Sequence, residues 1–518
     1  MLFAGLDVST QSCKLLIIDQ EENQIVVLES ISYDKDLPEY NTLNGDIKDK
    51  GRGVSESDPL MWIKAIDTIF AKLQKQKFPL DEIKCISVSG QQHGLVALDA
   101  NGKLSRSTSK LWNDFSTREE CELLTEKLGG NDQMVEEVGN AQLTGYTAAK
   151  IYHMLRHEPE AYKKTKTFFL VHNYINYYLT GGVITMEPGD ASGMALWHPG
   201  KEQWSDNVIN AIDTGLKEKL PMVTSSTKTI GKISDELVSR FGFNPNCRID
   251  AGSGDNMYGA IGTGNTSEGI VTVSLGTSGT AYTFLKEPFI DPTGEIAAFC
   301  DSTGHYLTLL CVTNLANGYN AILKEQNITH QDFNQLIPKT EPGNKGRILI
   351  PWYEGERTPN VAQATPVYVG FGLGDFTPEI LCRAVLEGHI QNLYSGFKRL
   401  PVTPKEIRLT GGLSQSPAWC QAIADIFNTE TVPVKGEGAA LGAALHAAWV
   451  WNNENSSKKS IQEISEPYIK FNEKLRKKPN PNVRKIYDIQ SEAFQTLSAL
   501  LRFNNNAFFK IHYDLKNS

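Results

Sequence analysis

A chain of 518 residues exceeds the size at which one hydrophobic core keeps growing, so two domains are expected. Hydrophobic residues make up 40% and charged residues 21%, the balance of a globular protein, and no apolar run approaches the roughly 18 residues that cross a bilayer. A net charge of -9 argues against a general nucleic-acid surface; eight cysteines with no Cys-x-x-Cys pair argue against a disulfide framework and for reduced thiols in the cytoplasm.

The chain opens on an apolar run, Leu2 to Asp7, followed by the small polar turn Val8-Ser9-Thr10-Gln11-Ser12 and a second apolar run, Lys14 to Ile18. This reads as strand, turn, strand. The Asp7 carboxylate at the turn suits magnesium, held directly or through water. Lys35 to Glu56 has no periodicity and reads as a surface excursion. Asp58-Pro59 then starts a helix, with Trp62, Ile63, Ile66, Ile69, Phe70 and Leu73 on one face. Ile86 to Ser89 reads as a strand leading into Gln91-Gln92-His93-Gly94, whose side chains both donate and accept and so suit the hydroxyls of a polyol. A structural histidine is the alternative at His93. Trp112-Asn113-Asp114 offers an aromatic wall with polar ends, or a helix cap.

Ile249 to Gly259 is dense in glycine and small residues around Asp255. A carboxylate there can accept the proton of a hydroxyl nucleophile, or cap the next helix, and spacing leaves both open. The boundary is expected here, giving domains 1–254 and 255–518, the latter with a final helical segment. Gly269 to Val273, Ser274-Leu275-Gly276-Thr277-Ser278-Gly279 and Thr280 to Phe284 repeat the strand-turn-strand pattern of the first residues. An internal duplication follows: two related α/β domains, each opening with a hairpin whose turn exposes N–H groups to phosphate oxygens. Leu409-Thr410-Gly411-Gly412-Leu413-Ser414 lets a flat ligand pack on backbone, or is an ordinary strand-to-helix loop; Ser416-Pro417 starts the helix after it. The small residues Gly438-Ala439-Ala440-Leu441-Gly442 suit close helix packing. Leu475 to Asn482 is a basic, proline-broken connector.

No G-x-x-x-x-G-K-[ST] loop and no protein-kinase signature set is present, so the hairpins are the phosphate-binding candidates. In their order these segments resemble the FGGY family of carbohydrate kinases, from Gly5-Leu6-Asp7-Val8-Ser9-Thr10 to Gly438 through Ala444, with Glu354 to Pro359 and Leu386-Glu387-Gly388 between. The resemblance implies two actin-like (ribonuclease H-like) ATPase domains with an inter-domain cleft. Sugar is then expected mainly on the first domain, and magnesium-ATP mainly on the second. It implies Asp255 as general base and Asp7 near the metal and γ-phosphate. Gln92, His93 and Asn256, with Trp112, Asn113 and Asp114, are expected on the sugar. Ser9, Thr10, Gly276, Thr277, Gly411 and Gly412 are expected on ATP. The Gln92-His93-Gly94 step implies D-xylulose; ribulose, another ketose or glycerol would keep the same fold and base. The sequence departs from the commonest family pattern at Ser9, where glycine is frequent, and at Leu413, where a third glycine is. A homodimer is compatible with this reading, and neither nucleic acid nor membrane is an expected partner. A non-catalytic sugar sensor would be expected to lose Asp255, and a chaperone-like or filament ATPase would lack the sugar segments.

Overall fold

The computed structural model describes residues 1–436, 438–455 and 457–517. In its first unit, β1 (Leu2–Val8) is buried along its whole length and pairs antiparallel with β2 (Ser12–Asp19), which pairs with β3 (Gln24–Ser32). Helix α1 (Pro59–Lys75) starts where the Asp58 carboxylate accepts the Leu60 N–H at 2.8 Å, with Pro59 in the first turn; its face of Trp62, Ile66, Ile69, Phe70 and Leu73 is core. Strand β4 (Ile83–Gly90) returns parallel to β1 on its other side. Among the helices that follow are α2 (Arg118–Lys127), α3 (Thr147–His157), α4 (Val171–Thr180) and α5 (Pro188–Ser192). Strand β5 (Arg248–Asp250) joins β4 in parallel and leads to α6 (Asp255–Gly262).

The second unit repeats this order. Strands β6 (Ile270–Leu275) and β7 (Gly279–Leu285) form an antiparallel hairpin, followed by β8 (Tyr306–Val312), α7 (Ala316–Glu325) and α8 (Pro378–Phe397). Strand β9 (Glu406–Thr410) pairs parallel with β6, α9 (Pro417–Phe427) follows, and β10 (Thr431–Lys435) pairs parallel with β9. The strand orders β3-β2-β1-β4-β5 and β8-β7-β6-β9-β10 are the same path twice, the duplication expected from the two hairpins. Helices α10 (Gly438–Glu454) and α11 (Arg484–Leu501) complete the main elements.

The compact units do not follow chain order. The first holds Met1–Thr266, Leu285–Leu307 and Gly436–Ile469; the second holds Ser267–Phe284, Thr308–Lys435 and Lys470–Ser518. The division expected from sequence, 1–254 and 255–518, therefore differs from this partition. The reason is α10, which comes from the far half of the sequence yet packs on α6 and on β1 of the first unit. Small residues make that contact possible, as their spacing suggested. A Cβ on Gly442 would stand 1.8 Å from the Tyr258 carbonyl oxygen, and one on Gly5 would stand 2.2 Å from that of Ala440.

The excursion between Lys35 and Glu56 is less superficial than expected. Thr42, Ser55 and Glu56 are buried, and Gly45, at φ +84°, leaves only 1.8 Å between an added Cβ and the Thr10 carbonyl. In the basic connector, Arg476 is spent on ion pairs with Glu406, Glu430 and Glu473. The eight cysteines are free thiols. Among the described residues no helix is long and apolar enough to cross a membrane.

Gly442→Ala should lower the thermal midpoint by an amount equivalent to about 1–3 kcal/mol, because overpacking outweighs the roughly 1 kcal/mol that alanine adds to a helix. A melt at or above wild type would show that α10 can shift without loss.

Candidate active site

Parallel pairing of β1 with β4 sets Asp7 opposite Ser89, and the Ser89 hydroxyl donates to Asp7 Oδ1 at 2.9 Å. At the end of β4 the Gln91 N–H donates to the Val8 carbonyl at 3.0 Å, turning the chain into Gln92-His93. Gln91 and Gln92 are buried, and the amide nitrogen of each has no hydrogen-bond partner among the described residues, leaving two donors beside the site. His93 adopts a left-handed backbone (φ +65°) with its ring edge-on to Tyr146 at 4.9 Å and 5.9 Å from Phe299. Its carbonyl accepts from Lys150 Nζ at 2.7 Å and from the Thr147 hydroxyl at 3.2 Å, so the first turns of α3 fix the loop.

Ser253 and Gly254 pair with Ser89 and Gly90, which delivers Asp255 to the same edge of the sheet. The N-cap of α6 is Gly254, with no side-chain cap, and Asp255 is the first helical residue. Burial first, then the charges of Asp7 and Asp190, push the Asp255 carboxyl up to about 7. Asn256 Nδ2 donates to Gln92 Oε1 at 2.8 Å and to Asp255 Oδ1 at 3.0 Å, joining the two loops. Gly254 leaves room for the Gln92 side chain: an added Cβ would lie 2.6 Å from Gln92 Cγ and 3.0 Å from Asp190 Oδ1, so a larger residue would displace these side chains.

Asp190 is fully buried and hydrogen bonds to His172 Nδ1. Burial works to lower the pKa of that imidazole, but the Asp190 charge prevails and raises it. Glu187 caps α5, accepting the N–H groups of Gly189 and Asp190 at 2.7 Å each and the Ser253 hydroxyl at 3.1 Å; burial pushes it up to about 7. Asp255 is therefore a carboxyl whose two protonation states are close in energy near neutrality, beside a second carboxylate. That arrangement suits proton acceptance from a hydroxyl. The oxygen donor set of Asp7, and the repulsion between Asp7 and Asp255, also fit a hard divalent cation.

Other expected residues are placed nearby in the first unit. Thr10 donates to Gln91 Oε1 at 3.2 Å and accepts from Trp112 Nε1 at 3.0 Å, so it ties the first turn to the Trp112 wall. The neighbouring Ser9 hydroxyl closes its own turn on the Ser12 carbonyl at 2.9 Å. Asn113 Oδ1 accepts from Ser55 Oγ at 2.8 Å, within the excursion. Asp114 departs from the sugar-facing expectation. It is fully buried; Oδ2 accepts from the Ser55 N–H at 3.0 Å and Lys110 at 3.3 Å, and Oδ1 from the Ser116 N–H and hydroxyl. Its oxygens hold the loop that carries Trp112 and Asn113.

In the second unit the turn after β6 and the loop after β9 lie together. A Cβ on Gly411 (φ +80°) would stand 2.7 Å from the Leu275 carbonyl, while one on Gly412 would meet nothing within 4 Å. The carbonyls of Gly276 and Thr277 accept the N–H groups of Ala316 and Leu315 at 3.1 and 3.2 Å, fixing the turn to the start of α7. Thr277, Gly411 and Gly412 are exposed, an open backbone surface of the kind phosphates and ribose can approach.

Sequence reasoning missed Asp190, His172, Glu187 and Lys150. The run Gly189-Asp190-Ala191-Ser192-Gly193 was the one available signal, a carboxylate among small residues like that around Asp255.

Two models of the FGGY family of carbohydrate kinases match the chain, the N-terminal domain over residues 2–262 and the C-terminal domain over 271–451. The chain is 35% identical to a xylulose kinase of Haemophilus influenzae, over 96% of this chain and 99% of that one. It is 31% identical to a xylulose kinase of Bacillus subtilis, over 90% and 92% of the two chains. Among solved structures, a xylulose kinase from Bifidobacterium adolescentis superimposes with a TM-score of 0.80 at 26% identity, covering 94% of this chain and 99% of that one. A ligand-bound xylulose kinase from Lactobacillus acidophilus reaches 0.86 at 24% identity over 98% and 99%, a likeness of fold.

The Asp114 geometry yields a separable outcome. Asp114→Asn should lower the thermal midpoint by the equivalent of about 1–3 kcal/mol through the weakened hold on buried Lys110, while the sugar KM of the folded fraction changes less than with Gln92→Ala. A variant with unchanged melting and a large rise in KM would assign Asp114 to the sugar.

Proposed function

Because the chain belongs to the FGGY family of carbohydrate kinases, we propose that it transfers the γ-phosphoryl group of ATP to the terminal hydroxyl of D-xylulose, in the cytoplasm. The observation that carries the chemistry is Asp255, poised near neutrality between Asp7 and Asp190. The choice of sugar rests on the Gln92-His93-Gly94 step and on the xylulose kinases to which the chain is similar along nearly its whole length.

The sugar is held by Gln92, His93 and Asn256, with Trp112 as a wall. The buried amide nitrogens of Gln91 and Gln92 support polar recognition at this edge. Asp255 accepts the proton of the attacking hydroxyl; the oxygen forms its bond to the γ-phosphorus as the bond to the ADP oxygen breaks. The turn at Gly276 and Thr277 and the loop at Gly411 and Gly412 present backbone to the nucleotide, and Ser9 and Thr10 shape the first phosphate turn. Magnesium, held at Asp7 directly or through water, would supply charge neutralisation for the phosphates.

Across a panel of ketoses and polyols assayed by ADP release, D-xylulose should give the highest kcat/KM. A preference for ribulose or glycerol would replace the sugar and leave the kinase reading in place. Asp255→Asn should fold and bind sugar while kcat falls by roughly 10²–10⁴-fold. Near-normal turnover in that variant would remove Asp255 from the chemistry.

The pH profile gives a second check with a fixed sign. A base must be ionised to work, so kcat/KM should be lost as pH falls through the raised pKa of about 7, by about tenfold per unit below it. A profile that is flat from pH 5.5 to 7.5 would contradict the assignment.

A further inference from the structure

On the first unit, away from Asp255, two histidines and one glutamate converge. His153 and His157 lie one turn apart on α3, so both imidazoles project from the same face of the helix. Their rings are 4.4 Å apart between centroids, inclined at 40°. Glu120 on α2 meets them from across the interface: its Oε1 lies 3.1 Å from His157 Nε2, and its Oε2 lies 3.3 Å from His153 Nδ1. One ligand atom from each of the three residues lies within 4.8 Å of the others.

We propose that Glu120, His153 and His157 form a zinc site that clamps α2 to α3. Two imidazole nitrogens and one carboxylate oxygen are a donor set that zinc takes in three-ligand sites, with water in the fourth position. Bonds of about 2.0–2.2 Å place ligand atoms roughly 3.5 Å apart, a spacing the two carboxylate–imidazole contacts already have and the set as a whole reaches from within 4.8 Å. The ligands are graded in exposure. Glu120 is 1% exposed, His153 20% and His157 48%, which gives a fixed carboxylate at the base and an open approach past His157.

One group competes. Arg156 Nη1 donates to Glu120 Oε1 at 2.6 Å, while its Nη2 donates to Glu119 Oε1 at 2.6 Å. The guanidinium can keep Glu119 when a cation takes the Glu120 oxygen, and Arg156 is therefore a tuning group that weakens the site. The site is remote in sequence from the proposed sugar contacts but shares their support. Thr147 and Lys150, which hold the His93 carbonyl, stand on the same helix one to two turns before His153.

The test is calorimetric titration of zinc into the full-length protein at pH 7.5, with magnesium present in excess, followed by melts with and without zinc. One zinc per chain should bind with micromolar or tighter affinity and raise the melting temperature. His157→Ala and His153→Gln should each weaken binding by at least about tenfold, through loss of one of three ligands. Removing the competing guanidinium with Arg156→Ala should tighten it. His305→Ala, an exposed histidine elsewhere, should change nothing. Turnover of His157→Ala with magnesium should match wild type. Absence of saturable binding by the wild-type protein overturns the proposal, as does affinity unchanged in both histidine variants when their zinc-free melts show them folded.

Discussion

Two helices touch backbone to backbone in the first unit, and this contact fixes where Asp255 stands. Helix α6 starts at Asp255 and crosses α10, and neither helix has side chains to hold them apart at Gly262, Gly438 and Gly442. Gly5 of β1 meets the same helix at Ala440. The position of Asp255 is thus set by a rigid strand on one side and an almost side-chain-free helix crossing on the other. Such close packing tolerates little displacement, which is what a proton acceptor needs when the reacting atoms must be placed to within a fraction of an ångström.

The same region concentrates negative charge in a low-dielectric setting. Asp7, Asp190, Asp255 and Glu187 lie around one sheet edge, and the protein compensates them unequally. Asp190 has His172, Asp7 has the Ser89 hydroxyl, and Glu187 has two backbone N–H groups and a hydroxyl. Asp255 takes a hydrogen bond from the Asn256 amide and has no ion pair among the described residues, so burial, with the charges of Asp7 and Asp190, raises its pKa. The electrostatics that make the site costly to fold are those that make a carboxylate a usable base near neutral pH.

What could be read from sequence was local. Both hairpins and the helix started by Asp58-Pro59 follow from short-range turn and cap signals, so the duplicated α/β architecture was legible, whereas the parallel pairing of β4 with β1 and of β9 with β6 was not. Asp255 was legible as a candidate but not as a choice between base and cap. The structure gives the N-cap to Gly254, which removes the capping alternative and leaves the base role as the proposal. Asp190 carried a local signal in its small-residue run, but its pairing with His172 was not legible, since it spans 18 residues and uses no turn chemistry. The excursion from Lys35 to Glu56 was misjudged for a related reason. Its burial depends on Gly45 reaching Thr10 and Ser55 reaching Asn113, contacts that no local pattern announces. Glu356 and Glu387, which stand in two of the family-like segments, turned out to be buried polar hubs of the second unit. Glu356 bonds Thr313, Asn314 and Asn392; Glu387 bonds Gly343, Tyr487 and Gln490.

The return of residues 436–469 to the first unit also has a consequence for how the protein is made. One face of the first sheet, with Phe3, Leu16, Ile18 and Cys85, is covered by Ala440 through Ala448, Ile461, Ile464 and Tyr468. On a ribosome that face emerges complete by residue 266 and then waits for about 190 further residues before its cover exists, roughly 10–40 s at ordinary elongation rates. During that interval an apolar sheet face is open to solvent and to other nascent chains. The first unit therefore stays open to wrong association during synthesis for longer than its position at the start of the chain suggests, and a fragment ending near residue 266 lacks the cover for that face.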